Sequence, residues 1–322
     1  MNINIINKCN NSCTFCFQNK NRATKLMTTN DVAKVLKWAN LKKGSTVGII
    51  GGEPTLNPYL KDICRYIVDE GYIVNVFTNL LCDTNVIEGL LKIRNVNILI
   101  NTVHPKGKRD RFLENYKLIT ERNIQGLWSL DSAIFIGATF DGTNDYENIN
   151  FLKKLVELDT KSIVRGIRVS HAIPSPGKKY GMNASFGENI NELIDSIHRI
   201  APRMLYVFDC AINMCLMSPE LYNKFLLNPK IMGLSTECQN PVFDIGVDFS
   251  TSWCACFDDH SRLKIKNIFE YRNMQHMYND MLRIMFEESK ALNGECDSKN
   301  CSNTYCSGVC QGILYRIQKE KE

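Results

Sequence analysis

Cys9, Cys13 and Cys16 stand within eight residues of one another in the stretch KCNNSCTFCF. Thiolates that close together suit a metal centre. Structural zinc sites are closed by four ligands, and no histidine stands near Cys9–Cys16 to complete one. A [4Fe–4S] cube takes four cysteine thiolates, so three would leave one iron open to bind and activate something else. The chain has 14 cysteines in 322 residues. Cys64 and Cys82 fall at apolar positions of expected helical stretches and read as core residues. Nine more lie between Cys210 and Cys310. With no export signal in the sequence, the expected compartment is reducing and cytoplasmic, which disfavours disulfides and favours metal or catalysis.

The first 200 residues alternate short apolar runs with amphipathic ones. Strands are expected at 2–7, 45–52, 72–79, 96–101, 132–140 and 163–173. Helices are expected at 28–40, 59–71, 84–94, 109–123, 147–159 and 189–201. Strands that alternate with helices build a parallel sheet. Six such pairs are too few for the closed eight-stranded barrel, so the expected fold is α/β, an open partial (β/α)6 barrel. Ligands of such sheets bind beyond the carboxyl ends of the strands, and the thiol loop follows the first strand. One more strand is expected at 203–210; beyond it the chain is loop-rich and cysteine-studded. The division read from this is a core over 1–203 and a cysteine-rich auxiliary region over 204–322, in which metal supplies stability that apolar patterning does not.

Hydrophobic residues make up 44% and charged residues 23%, and the net charge is +5. Basic residues are scattered; KGKRDR (106–111) and PGKKY (176–180) read as solvated loops and helix starts. Neither a nucleic-acid surface nor a membrane span is expected.

The order C-x3-C-x2-C, with Phe15 just before Cys16, resembles the signature of the radical S-adenosylmethionine (SAM) superfamily. Gly51-Gly52-Glu53-Pro54, at the end of the second strand, is similar to that family's motif for the methionyl amine of SAM. Glycines permit close backbone approach, and the Glu53 carboxylate can balance an ammonium. Further matches follow in order. FTN (77–79) supplies Thr78 and Asn79 at the end of strand three, and Asn101 ends strand four. AIFIGA (133–138) resembles the strand that packs beside adenine, with Ile136 in it and Ala133 in place of its first glycine. The resemblance implies that Cys9, Cys13 and Cys16 hold a [4Fe–4S] cluster and that SAM chelates the open iron. It further implies that an electron from a flavodoxin or ferredoxin splits SAM, and that a 5′-deoxyadenosyl radical then takes a hydrogen atom from substrate.

The tail resembles a SPASM or twitch extension, which carries one or two auxiliary [4Fe–4S] clusters. CSGVCQG (306–312) is similar to its end, and CQNPVFDIGVDFSTSWC (238–254) to its first segment. The resemblance implies Cys238, Cys254 and Cys310 as ligands of a first cluster, with Cys215 or Cys210 as fourth. Cys296, Cys301 and Cys306 would form a second set, with Cys256 in place of a missing last cysteine. The sequence departs from the pattern in its x4 spacings and in Phe249–Ser250, where a glycine is usual. Zinc in the last group is the alternative.

Relatives with this extension mostly modify peptides by crosslinking, epimerisation or side-chain oxidation, so a peptide substrate is the first expectation. A dehydrogenase of small natural-product intermediates is the second, and a non-enzymatic iron–sulfur electron carrier a distant third. Eight residues precede the triad, so leader-peptide recognition is expected to use a separate protein or different contacts. Cys210 or Cys215 is a candidate hydrogen-atom donor, Tyr305 a candidate neighbour of the site, and His104 a loop residue on the ligand side.

Overall fold

A computed structural model describes residues 1–13, 15–16, 24–102, 108–121, 133–142, 145–172, 185–210, 212, 217–235, 242–292 (backbone only from 289), 312, 315–316 and 319. Strands β1 (Asn2–Asn4), β2 (Thr46–Ile50), β3 (Ile73–Thr78), β4 (Val96–Asn101), β5 (Ile134–Phe140), β6 (Val164–His171) and β7 (Leu205–Phe208) run in chain order across one sheet. Between them lie α1 (Thr29–Ala39), α2 (Leu60–Asp69), α3 (Thr84–Leu91), α4 (Arg109–Glu121), α5 (Asp145–Leu158) and α6 (Phe186–Ile200). All neighbouring strands pair in parallel, and the sheet curls into the expected open half-barrel.

Local chemistry explains the elements. Strand β3 alternates half-buried and buried residues along IVNVFT, as a strand with one face on the helix layer must. Helix α1 opens with a reciprocal capping box between Thr28 and Asp31 and ends at Asn40 in the left-handed conformation, φ 49°. Strand β1 is shorter than the run NINIIN suggests. Past Asn4 the chain keeps two bonds to the end of β2, Ile5 N–H to Ile50 carbonyl and Gly52 N–H to Ile6 carbonyl, while its other side turns to residues 26–27: Ile6 bridges Leu26 antiparallel, and Met27 N–H donates to Ile5 carbonyl at 2.8 Å. That exit sends residues 7–13 over the carboxyl ends of the strands, where Asn10 meets Asn79 and Leu81.

Two strands extend the sheet beyond the sequence expectation. β8 (Ile231–Met232) pairs with β7, and β9 (Asp244–Ile245) adds in parallel beside β1. Helix α7 (Pro219–Leu226) precedes β8; a hairpin, β10 (Thr251–Ser252) with β11 (Lys264–Ile265), and the long helix α8 (Met274–Leu292) follow β9. Buried Met277 and Met281 of α8 belong to the same apolar cluster as the barrel's strands and helices. Trp38 of α1 joins the two parts, donating its indole N–H to Tyr271 carbonyl at 2.9 Å and meeting the Phe269 ring edge-on. No helix among the described residues is long and apolar enough to cross a membrane.

Candidate active site at the strand ends

The thiol loop is fastened from several sides. Cys16 N–H donates to Cys13 carbonyl at 3.3 Å, which makes a tight turn between two of the thiols. Cys9 Sγ receives the Asn11 backbone N–H at 3.4 Å. Asn10 donates its side-chain amide to Leu81 carbonyl at 2.8 Å, and its own backbone carbonyl accepts from Lys108 Nζ at 2.7 Å. All three thiols are half-buried. Burial pushes the Cys9 thiol up, against the pull of the Asn11 amide; the nearby Glu53 and Cys16 add to the rise.

Gly51 and Gly52 are needed here because of the thiol loop's own stem. A Cβ on Gly51 would lie 2.5 Å from Ile6 carbonyl oxygen, and one on Gly52 would lie 2.2 Å from that of Lys8. Real side chains do not approach backbone so closely. The contact is cemented by Gly52 N–H to Ile6 carbonyl (2.7 Å) and Glu53 N–H to Lys8 carbonyl (2.9 Å). Pro54 begins a short 3-10 turn that Glu53 caps.

Glu53 is 1% exposed. Its Oε1 accepts from Thr55 N–H (3.2 Å), Thr55 Oγ1 (2.7 Å) and Thr78 Oγ1 (2.7 Å), and its Oε2 accepts from Asn79 N–H (2.8 Å). Burial raises its pKa, opposed by these donors. The second oxygen carries one protein donor against three on the first, so the room for another cation or N–H is at Oε2. Cys82, buried beside Thr55 and Glu53, is a core thiol raised to about 12, and Cys64 is another. Cys82 lies in the loop before α3 rather than in a helix.

Asn79 links three parts of the site. Its backbone N–H reaches Glu53. Its side-chain amide donates to Asn10 Oδ1 at 2.8 Å and lies 4.0 Å from Cys9 Sγ, and its Oδ1 accepts from Leu81 N–H at 2.9 Å. Leu80 beside it is held at φ 57°, with Asn115 donating to the carbonyls of Leu80 and Cys82 at 2.8 and 2.9 Å. Asn101 pairs with Gly137 across β4 and β5, and a Cβ on Gly137 would lie 3.1 Å from Asn101 Oδ1. Both therefore face the hollow of the sheet. Ile136, the residue before, points the other way and is fully buried. Phe15 is half-buried in the thiol loop.

The hollow holds a polar group that the strand pattern alone did not suggest. Arg168 of β6 pairs through Nε with Asp209, which also accepts from Ser170 Oγ at 2.6 Å. Its guanidinium lies 5.0 Å from the centre of the Phe77 ring. An arginine at an inward position of the strand, two residues before Ser170, was the available signal. Thr55, two residues after Glu53, and the Asn10–Asn11 pair were also missed; short polar residues beside a buried carboxylate or a turn were the clue.

A model of the radical SAM superfamily matches residues 3–200. The chain belongs to the radical SAM superfamily. Its fold is similar to Streptococcus suis SuiB bound to S-adenosylmethionine, at 18% identity and TM-score 0.60 over 84% of this chain and 63% of that one. It is also similar to SuiB bound to precursor peptide SuiA, at 16% and 0.61 over 100% and 72%. Native anSMEcpe with bound AdoMet and Kp18Cys peptide gives 13% and 0.63 over 100% and 94%. The chain thus spans 63% of the SuiB chain in the first of these. Identities this low speak for the fold alone. No curated protein sequence matches.

Radical SAM membership supports an enzyme that uses a [4Fe–4S] cluster and SAM, and the residues fit them. The triad offers thiolates and nothing harder. Asn11 Nδ2 is buried in the same loop with no hydrogen-bond partner, a cost of about 1–3 kcal/mol unless an acceptor arrives. Among the described residues no three His, Cys, Asp or Glu side chains are gathered into a metal-binding group; the radical SAM thiols share a loop and are not drawn together.

In the tail, Cys254 and Cys256 lie side by side next to the hairpin. The Cys256 thiol and burial push Cys254 well above its usual range. A Cβ on Gly312 would fall 3.0 Å from Cys256 Sγ and 3.3 Å from Cys254 Sγ, so the end of the chain returns to this pair. Phe249 takes the left-handed φ of 62° near where the family pattern has glycine, and packs on Phe269 with ring centres 5.1 Å apart and the rings tilted by 56°. Cys210 is half-buried just after β7. Cys215, Cys238, Cys296, Cys301, Cys306, Cys310, Tyr305 and His104 lie outside the described residues.

Proposed function

We propose that this protein is a radical SAM enzyme that reductively cleaves SAM and removes a hydrogen atom from a peptide. The observation that carries the reading is the seam at which Ile6–Lys8, the stem leading into Cys9–Cys16, is pressed backbone to backbone on Gly51–Glu53. When bound, the cluster and SAM supply a 5′-deoxyadenosyl radical.

The chain's own residues do the positioning. Cys9, Cys13 and Cys16 would hold the cluster on a loop tied down by Asn10, Asn79 and Lys108. Gly51, Gly52, Glu53 and Pro54 would receive the methionyl end of SAM, with Glu53 Oε2 as the acceptor for its ammonium. Thr78 and Asn79 fix that carboxylate. Asn101 and Gly137 line the hollow next to it, where a ribose hydroxyl would find the Asn101 amide. For Ile136 any contact would be through backbone, since its side chain is buried on the helix side. Phe15 would shield the cluster. Arg168, Asp209 and Ser170 form the polar floor on which substrate sits. Once substrate fills the hollow, positioning it and keeping water out would be the work of these residues, as radical chemistry requires.

A peptide substrate is supported by the likeness to SuiB bound to SuiA and to anSMEcpe bound to Kp18Cys. We assign Cys254 and Cys256 to auxiliary [4Fe–4S] chemistry with tail cysteines; their contact with Gly312, two residues past Cys310, supports this. A flavodoxin or ferredoxin would supply the electron.

The test is anaerobic reconstitution with iron and sulfide, then dithionite and SAM. The wild type should release 5′-deoxyadenosine, and Cys16→Ala should release none. Deuterium placed on a candidate peptide should appear in that product. Cleavage retained by Cys16→Ala would refute the site, and a carrier protein would give no product at all.

A further inference from the structure

Cys9 has two N–H groups directed at its sulfur. The Asn11 backbone N–H donates to its sulfur at 3.4 Å, and the Asn79 side-chain amide lies 4.0 Å from the same atom. Asn11 sits two residues from both Cys9 and Cys13, and its own side-chain amide nitrogen is buried without a partner. Its carbonyl end is occupied, accepting from Ser12 N–H at 2.8 Å. The side chain is thereby fixed with its acceptor spent on the loop and its donor unspent. A buried N–H demands an acceptor. The acceptors that an iron–sulfur cube brings to this loop are thiolate and sulfide sulfur. Hydrogen bonds to those sulfurs drain negative charge from the cluster and raise its reduction potential.

We propose that Asn11, with Asn79 as a second donor, forms an N–H···S shell on the Cys9 side of the cluster and makes the cluster easier to reduce. The inference rests on the triad holding a [4Fe–4S] cluster. Asn11 and Asn79 are positioning residues: they leave the substrate untouched and act through the sulfur. Asn79 does so while also bracing Glu53 and Asn10, which ties the electronic setting of the cluster to the motif expected to hold SAM.

The wild-type protein can be grown with asparagine labelled with 15N on the side-chain amide only. Pulsed EPR of the reduced, reconstituted protein should then show 15N couplings from two donors, one lost in Asn11→Asp and the other lost in Asn79→Ser. In a redox titration followed by EPR, Asn11→Asp keeps the Oδ1 acceptor for Ser12 but lacks the donor. At the potential where half the wild-type clusters are reduced, it should be reduced about tenfold less. Ser12→Asp adds the same charge one residue away and leaves the donor in place, so it should change that ratio less than threefold. No 15N coupling in the wild type, or equal changes in Asn11→Asp and Ser12→Asp, would overturn the proposal. A wild type with no [4Fe–4S] signal at all would instead refute the underlying cluster assignment.

Discussion

Two cysteine sites in this molecule rest on a glycine, and they are built differently. The front loop, Cys9 to Cys16, lies across the ends of long parallel strands. Gly52 there touches main chain, the carbonyl of Lys8. The tail pair, Cys254 and Cys256, adjoins a hairpin of two-residue strands. Gly312 there touches side chains, the Cβ and Sγ of Cys256. Main chain in a strand exit cannot move without breaking the ladder hydrogen bonds of Ile5 and Gly52. A cysteine side chain can turn about χ1. The main-chain seam under the front loop is therefore set by the fold, and the tail site is one that its neighbours can adjust.

Gly52→Ala should show the largest effect. Its Cβ would overlap the Lys8 carbonyl at 2.2 Å and Asn7 oxygen at 2.9 Å. The loop must lift, and the Glu53–Lys8 hydrogen bond must go. We expect reconstituted iron at the triad to be lost and 5′-deoxyadenosine formation to drop at least 100-fold. The far-ultraviolet circular dichroism should be unchanged, because β2 and β3 pair below this point. Normal iron content in this variant would remove the claim that main-chain contact presets the front site.

Gly312→Ala is the matched change in the tail and should do less. The contact at 2.7 Å is with Cys256 Cβ, and overpacking of a side chain costs about 1–3 kcal/mol. Part of that is relieved if the C-terminal segment shifts, although Arg316 anchors it with two hydrogen bonds to Asp259 at 2.9 and 2.8 Å. The expected outcome is a lower midpoint of unfolding with SAM cleavage largely kept. If Gly312→Ala abolishes cleavage and Gly52→Ala does not, the ranking of the two sites is reversed.

The same contrast decides how much could be read from sequence. The strands and helices of residues 2–208 were legible to within a few residues, because each is a local pattern: IVNVFT alternates and TTNDVAKVLKWA carries its cap and its stripe. The motifs of the front site were legible for the same reason. What could not be read was what those residues touch. Glu53 satisfied by two threonines and Asn79, and glycines that fit the Lys8 carbonyl, depend on register across strands. In the tail even the elements were hidden. β9 is two residues long and exists because Asn2, 242 positions away, donates to Asp244 at 2.8 Å and its ladder accepts it. Helix α8 was hidden for a related reason. Its methionines and the aromatic packing of Trp253 on Tyr278, 6.1 Å apart, make sense only against neighbours.

The smallest predicted effect concerns α1, the helix through which front and tail meet at Trp38. Asp31 accepts from Thr28 N–H at 3.0 Å and Thr28 Oγ1 at 2.8 Å. The Thr28 backbone bond is the main reason its pKa is lowered. A carboxyl whose folded pKa lies below its unfolded value stabilises the fold above the unfolded value. That contribution fades as pH falls through the lowered one. Asp31→Asn keeps the shape of the cap and removes the charge at the helix N-terminus, at a cost of about 0.3–1 kcal/mol. The stability gap between wild type and Asp31→Asn, measured by urea unfolding, should be open at neutral pH and close toward pH values below the ordinary aspartate range. Because α1 contacts the tail through Trp38, Phe269 and Tyr271, tryptophan fluorescence and far-ultraviolet circular dichroism should report the same shift. A gap seen by one probe alone would mean that the tail melts independently of the barrel, and the continuity of the two regions through α1 would fail.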